Sequence, residues 1–464
     1  MTDPCSGAPD DPDTAAVCLD VGSSWTKAVL VHPDGTPAGF AEHPTTADVI
    51  EGVDAAVAAA AVAAAAASIG RRTGGPALEV LACSSAGGPL RLAVVGADRL
   101  AATEAAHRAC RSAGARVVGV HTGPLESDAV RELTDQRPGA VLLLGGAEGE
   151  DPGVVLHNAG RLARTRGGWS VLLAVADAAR DEALDLLRAG GRDVTSYPNA
   201  TPRPGEIVTG PVRDAVAELY AGQALGVRSG PGGFGDLAPV RTPVAVAAGA
   251  GVLARLTGTG VLVVDVGSAT TGVHLGTPGP GSGVMTVEGD LGVRDGAGGV
   301  LVEAQTEGLV DPVEADLLAP AVAALEASGP AVPADRGAAA EDRRLAAIAA
   351  VVALRRHLRH TGLLPVDVPG AAPDRIVPVP AEPAAGPAGD IGLVVLTGGV
   401  FRQRDPAALA AVAETVRRDP VLPAMLAQVE VRVDTESVLA PAGLLAAHGR
   451  EDAARALLVE RLGG

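Results

Sequence analysis

The stretch "CLDVGSSWTKAVLV", residues 18–31, sets an apolar strand ending in Asp20 against a second apolar strand across a Gly-Ser-Ser turn. The pattern returns at residues 261–275 as "VLVVDVGSATTGVHL", with Asp265, Gly267 and Ser268 in the places of Asp20, Gly22 and Ser23. A reversal at Gly-Ser-Ser or Gly-Ser-Ala-Thr aims backbone N–H groups and hydroxyls at an anion, and glycine permits its close approach. One such turn is an ordinary hairpin with aspartate accepting turn hydrogen bonds. Two copies, one near the start of each half, are what a duplicated nucleotide-binding fold leaves behind. Lys27, inside the first copy, is the single lysine of the chain; the rest of its 37 basic residues are arginine. A compact ammonium suits a tight phosphate site that a planar guanidinium does not.

A chain of 464 residues exceeds one ordinary core and implies two or three domains. Aromatic content of 2% excludes ring stacking as the main way to hold a base, so aliphatic and backbone surfaces take that part. A net charge of −18 argues against nucleic acid and anionic membrane as partners. Cys5, Cys18, Cys83 and Cys110 show no metal-ligand spacing and read as reduced thiols of a cytoplasmic protein. Residues 1–14, acidic and proline-rich, read as a disordered leader and not a signal peptide. The alanine-rich run 55–67 is too short and too weakly apolar to span a bilayer, and reads as a soluble helix.

Short β-branched runs at 16–21, 26–32, 78–82, 92–95, 116–120, 140–144 and 170–175 alternate with helical patterns such as 97–112 and 177–189. This predicts an α/β architecture with a largely parallel sheet. Residues 226–237, rich in Gly and Pro, read as a linker or mobile loop. Residues 242–256 read as a helix whose Gly249, Ala250 and Gly251 admit a close neighbour. Helical patterns follow at 301–327 and 338–359, then a proline-rich loop at 365–387. A buried strand, "IGLVVLTGGVFRQ", leads into Gly398 and Gly399, and 437–462 is helical. No GxxxxGK[ST] occurs, which excludes a P-loop.

The two turns and the Gly398–Gly399 segment resemble the phosphate-1, phosphate-2 and adenosine motifs of the actin, sugar kinase and heat-shock-protein-70 superfamily. The small-residue helices around Gly249 and Ala442 resemble its two connecting hinge helices. The resemblance implies a duplicated ribonuclease-H-like, actin-like ATPase fold with ATP between two lobes. The lobes would be 15–257, carrying an α/β insertion, and 258–464, with a returning C-terminal helix. More specifically, "CSSAGGPLRLAVVG", "TEAAHRACRSAGARV", "VLLLGGAEGED", "YPNATPRPGEI", "RTPVAVAAGAGV", "EGDLGVRDGAGG" and "VDTESVLAPAGLLA" resemble the glutamate mutase L family, also called MutL or GlmL, over residues 17–449. That family is distinct from the mismatch-repair protein of the same name. It implies a chaperone-like accessory protein that uses ATP to reactivate an adenosylcobalamin-dependent mutase, of the glutamate (methylaspartate) mutase or aminomutase type, or to exchange its cofactor.

Residue by residue, Asp20, Gly22, Ser23, Ser24, Thr26 and Lys27 match the first phosphate turn, and Asp265, Gly267, Ser268, Thr270 and Thr271 the second. Gly398 and Gly399 match the adenosine segment, and Asp20 and Asp265 would hold Mg²⁺ through water. Glu288–Arg294 matches the family with no role beyond lining the cleft. Gly272 replaces an aspartate frequent in the superfamily, and no water-activating base is identifiable, so a weak or partner-stimulated ATPase stays open. A metabolite kinase and a non-catalytic scaffold on the same fold are the alternatives. Trp25 reads as packing outward. His357 and His360 have metal-pair spacing, but the arginines beside them make a solvated basic face the better reading. The acidic run Glu148, Glu150 and Asp151 reads as a polar loop.

Overall fold

A computed structural model describes residues 15–45, 78–97, 99–110, 112–204, 206–225, 240–279, 283–328, 335–364, 391–402, 405–422, 426 and 428–463. The expected leader, Cys5, the alanine run, the 226–237 linker and the 365–387 loop lie outside them. Two compact units divide the chain: Met1–Gly87, Ala224–Thr286 and Leu291–Gly464 form the first, Gly88–Gln223 and Val287–Asp290 the second.

The first unit opens with β1 (Ala15–Val21), β2 (Trp25–Val31), β3 (Pro37–Pro44) and β4 (Leu78–Ser84). The second unit follows with β5 (Leu90–Gly96), α1 (Arg99–Cys110), β6 (Ala115–Thr122), α2 (Ser127–Asp135), β7 (Ala140–Gly145), α3 (Gly153–Arg164), β8 (Ser170–Val175), α4 (Asp177–Ala189), β9 (Val194–Ser196) and α5 (Gly210–Leu225). The chain returns through β10 (Val240–Arg241), α6 (Thr242–Thr257), β11 (Gly260–Val266), β12 (Thr271–Gly276) and β13 (Met285–Glu288). It ends with α7 (Ala297–Thr306), α8 (Pro312–Ser328), α9 (Arg336–His360), β14 (Ile391–Thr397), α10 (Pro406–Arg417), β15 (Glu430–Asp434), α11 (Leu439–Ala447) and α12 (Glu451–Leu462).

The duplication is explicit in the first unit. One sheet runs β10-β4-β1-β2-β3 and the other β15-β14-β11-β12-β13 in the same relative order. In both, the first two strands form an antiparallel hairpin and the remaining neighbours on the other side are parallel. Helices α6, α11 and α12 lie in a layer covered by side chains of both sheets, among them Cys18, Val29 and Leu81 from one and Val261, Val263 and Val395 from the other. The opposite face of the second sheet packs on α7, α8, α9 and α10.

The second unit is a wholly parallel sheet in the order β6-β5-β7-β8-β9. Alternate residues of β5 and β7 enter opposite cores: Leu92, Val94 and Leu142 with α1 and α5, Ala93, Val95 and Val141 with α2, α3 and α4. That is the burial expected of a sheet covered on both faces.

Several expectations need correction. The helical run expected at 301–327 is two helices, α7 and α8, and 437–462 breaks at Gly449, whose φ is +74°. Strand β3 had no signal, because "PAGFAEHP" lacks the β-branched alternation of its partner β2. The basic segment of α9 is not solvated. Arg355 is 2% exposed and bonds Asp419 bidentately at 3.0 and 2.6 Å, while Arg359 bonds Glu307 at 2.6 and 2.7 Å and Arg356 pairs with Glu303 at 2.7 Å. These acidic partners come from α7, the residue after it and the segment that follows α10, which the local pattern does not reveal. Among the described residues, no helix is long and apolar enough to cross a membrane.

Helices α6 and α11 cross at contacts that only glycine allows. A Cβ on Gly249 would lie 2.1 Å from the Leu439 carbonyl oxygen, and one on Gly443 would lie 1.8 Å from that of Ala245. Gly443→Ala is therefore expected to lower the free energy of unfolding by about 1–3 kcal/mol, read as a reduced urea midpoint. A second prediction concerns His274 and His357, both buried. Burial pushes their pKa down to about 4 and about 3, the neighbouring His274 and His360 adding to the effect on His357. Unfolded histidine takes a proton below about pH 6.5 and these do not. Their contribution to stability should fall as pH drops from about 6.5, by ~1.4 kcal/mol per pH unit for each histidine. His274→Leu should remove one proton's worth of that slope in denaturation measured across pH 4–7.

Candidate functional site

The two hairpins present the same backbone device. Gly22 N–H donates to the Trp25 carbonyl at 3.0 Å, and Gly267 N–H to that of Thr270 at 2.9 Å. A Cβ on either glycine would fall within 2.9 Å of the same oxygen. The half-buried Ser23, Ser24, Ser268 and Thr270 lie in these turns. Thr26 and Thr271, also matched to the phosphate turns, are fully buried with their hydroxyls engaged inside the protein. Thr26 meets the Thr45 hydroxyl at 3.2 Å, and Thr271 donates to the Leu291 carbonyl at 2.5 Å.

Strand register puts Asp20 directly opposite Lys27, and Lys27 in turn opposite Glu42 on β3. Lys27 Nζ donates to Asp20 Oδ2 at 3.2 Å. Burial alone would lower the lysine pKa, but the carboxylates of Asp20 and Asp265 outweigh it and hold the ammonium above its usual value. Asp265 occupies the corresponding position of the second hairpin, opposite Gly272. Burial pushes its carboxyl up to about 6, with Lys27 opposing and Asp20 and Asp434 adding to the rise. The structure thus brings Asp20, Lys27 and Asp265 within electrostatic reach of one another.

Thr242, Asp434, Glu42 and Arg402 belong to this neighbourhood and were not singled out from sequence. Thr242, the first residue of α6, donates to Asp20 Oδ1 at 2.7 Å. Asp434 ends β15 and accepts from the Thr397 hydroxyl at 3.1 Å and the Glu436 N–H at 3.2 Å. Asp265, Thr397 and Asp434 align across β11, β14 and β15 as Asp20, Cys83 and Val240 do across the other sheet. Gly398 has φ +129°, and a Cβ there would lie 2.1 Å from the Val266 carbonyl oxygen, so the segment turns tightly over the second hairpin. Trp25, expected to face outward, is half-buried beneath the Arg402 guanidinium, 5.2 Å from its ring centre.

The 288–294 segment gains a structural part. Val293 and Arg294 N–H donate to the carbonyls of Gly267 and Ser268 at 3.2 and 2.9 Å, and Gly292 packs on Ala269. Arg294 then clamps Asp342 on α9 bidentately, at 2.7 and 2.5 Å. The second turn is braced from outside by this segment.

A Mg²⁺-bound polyphosphate fits this donor set. Asp20, Asp265 and Asp434 are buried or half-buried carboxylates, the first two within electrostatic reach of the Lys27 ammonium, and the Asp265 carboxyl is raised chiefly by burial, with Asp20 and Asp434 adding to the rise. Magnesium needs only one or two protein carboxylates when phosphate oxygens and waters supply the rest. Among the described residues, no cluster of three or more His, Cys, Asp or Glu is arranged to hold a metal on its own.

Duplicated sheets with paired glycine-closed turns and crossing helices define an α/β chain of the actin and sugar kinase architecture. The chain belongs to the MutL family: the family described as MutL protein matches residues 16–462. Protein MutL of Clostridium tetanomorphum is 30% identical over 303 residues, a match that covers 60% of this chain and 64% of that relative. A glucokinase of the ROK family from Streptomyces griseus, solved with glucose and AMPPNP, aligns at 12% identity over 95% of this chain and 99% of its own, with a TM-score of 0.32. Xylulose kinase from Bifidobacterium adolescentis aligns at 12% identity over 97% and 94%, with a TM-score of 0.30.

The brace yields a test. Asp342→Ala leaves the largely buried Arg294 unpaired and should lower the free energy of unfolding by about 3–5 kcal/mol in denaturant titration.

Proposed function

We propose that this chain is an ATP-binding, chaperone-like accessory protein of an adenosylcobalamin-dependent mutase, of the glutamate or methylaspartate mutase or aminomutase type. It acts in the cytoplasm, where its buried thiols stay reduced, and aids reactivation of the mutase or exchange of its cofactor. The observation that carries this reading is the pair of phosphate turns with Lys27 between Asp20 and Asp265, in a chain that matches the MutL family over residues 16–462.

In this reading the lobes are 15–257 and 258–464, joined where α6 and α11 cross. The turns at 22–24 and 267–270 receive the phosphates, Lys27 neutralises them, and the Gly398–Gly399 segment lies against the adenosine. Asp20 and Asp265 hold Mg²⁺. When bound, the metal neutralises the charge on the phosphate oxygens and fixes their orientation. Thr242 keeps Asp20 aimed by donating to one of its oxygens while Lys27 takes the other. Asp434, held by Thr397 and by backbone N–H groups at the start of α11, ties the second carboxylate row to the hinge helix. A change in phosphate occupancy at the turns therefore has a direct route to the crossing helices. Differential affinity of the two nucleotide states for the mutase is what the mechanism requires.

Calorimetric titration of Mg·ATP into the wild type and Lys27→Ala, with and without the candidate mutase, tests the proposal. Binding by the wild type, weakened at least about tenfold by Lys27→Ala and altered by the mutase, is the expected result; a tenfold change corresponds to ~1.4 kcal/mol. Absence of binding in every combination would leave a scaffold. ATP consumption that requires a purified small metabolite would indicate a kinase instead.

A further inference from the structure

Across β1, β2 and β3 the side chains of Asp20, Lys27 and Glu42 stand in one row, since directly paired residues share a face of the sheet. Trp25, two residues before Lys27, lies on that same face. The row is completed from another part of the first unit. Arg402, in the short helical turn Gly399–Arg402 after β14, forms an ion pair with Glu42, and its guanidinium covers the Trp25 ring. Its Nε donates to the Gly399 carbonyl at 2.9 Å, and the missing side chain of Gly399 leaves room for the guanidinium, which a Cβ there would approach to 3.2 Å. The order is carboxylate, ammonium, carboxylate, guanidinium. The β14 segment is thereby fastened to the first hairpin through one side chain.

We propose that Arg402 is a phosphate-sensing residue, which holds the segment after β14 on the first hairpin through Glu42 and Trp25 and gives up the Glu42 carboxylate to a polyphosphate entering beside Lys27. The inference rests on the nucleotide reading and adds to it the residue that reports occupancy. Three features favour Arg402. Its positive charge is felt at Lys27, so the guanidinium lies within electrostatic reach of the ammonium that the nucleotide reading places against phosphate. Its partner Glu42 is the strand neighbour of Lys27, so a phosphate that engages the ammonium arrives beside the pair. A planar guanidinium can exchange one two-oxygen partner for another while keeping its place over an aromatic ring. Cation–π contact and the Gly399 hydrogen bond then restrain it through the exchange.

Trp25 is a built-in reporter, because the chain has only one other tryptophan, Trp169. In a Trp169→Phe background, Mg·ATP, Mg·ADP and tripolyphosphate are titrated with Trp25 emission and calorimetry read in parallel. The expected result is a saturable emission change that tracks the binding heat and is lost in Arg402→Ala, with affinity for Mg·ATP reduced at least about tenfold. Glu42→Gln, which releases the guanidinium from its competing carboxylate, should tighten binding severalfold, an effect that a merely structural residue would not produce. Arg402→Lys should restore part of the affinity but not the emission change. If calorimetry shows Mg·ATP binding while Trp25 emission is unmoved, or while both Arg402→Ala and Glu42→Gln keep wild-type affinity, the sensing role is overturned and the nucleotide site stands. If the wild type binds none of the three ligands, the nucleotide reading fails and the sensor with it.

Discussion

One ammonium among buried carboxylates is the constraint on which the rest of the site depends. Lys27 is bonded to Asp20 and feels Asp265, and these two aspartates end the first strands of the two repeated sheets. Taking charges out of water is costly unless each finds a partner. Here partners come from both halves of the duplication, so neither half can be rearranged without leaving a charge uncompensated. Thr242 on Asp20, and the backbone N–H groups of Val438 and Leu439 on Asp434, extend the same satisfaction outward to the starts of α6 and α11.

Packing explains how such a site is positioned with almost no aromatic residues. The layer between the sheets is built from Ala, Val and Leu, and its closest approach is backbone on backbone at Gly249 and Gly443. Small residues exchange side-chain volume for proximity, which lets two helices cross with little between them. Aliphatic core lies on both faces of the second sheet, which holds it between the helices on either side.

Much of this was legible in the sequence because it is periodic or repeated. The hairpins at Asp20 and Asp265, the helices at 177–189 and 242–256 and the small residues at the helix crossing all carry local signals. Glu42 and Arg402 do not: one lies on a strand of unremarkable composition, the other beyond a pair of glycines, and only register and chain return bring them together. The basic end of α9 misleads for the same reason, since Glu303, Glu307 and Asp419 are distant in sequence and supply the charges that allow Arg355 and Arg356 to be buried and Arg359 to be half-buried. The 288–294 segment was visible as a pattern, but its duty as a brace for the second turn depends on backbone hydrogen bonds that composition does not encode.

The two hairpins share their strand register, their glycine-closed turns and their aspartates, yet Lys27 in one stands where Gly272 stands in the other. A cleft built from two equivalent turns would offer an elongated anion two opposite ways to lie, related by the internal symmetry of the fold. A single cation on one side lifts that degeneracy. In the proposed nucleotide reading, the substitution of one residue in a duplicated motif would give the cleft a polarity, so that a ligand with distinct ends would be held in one sense only.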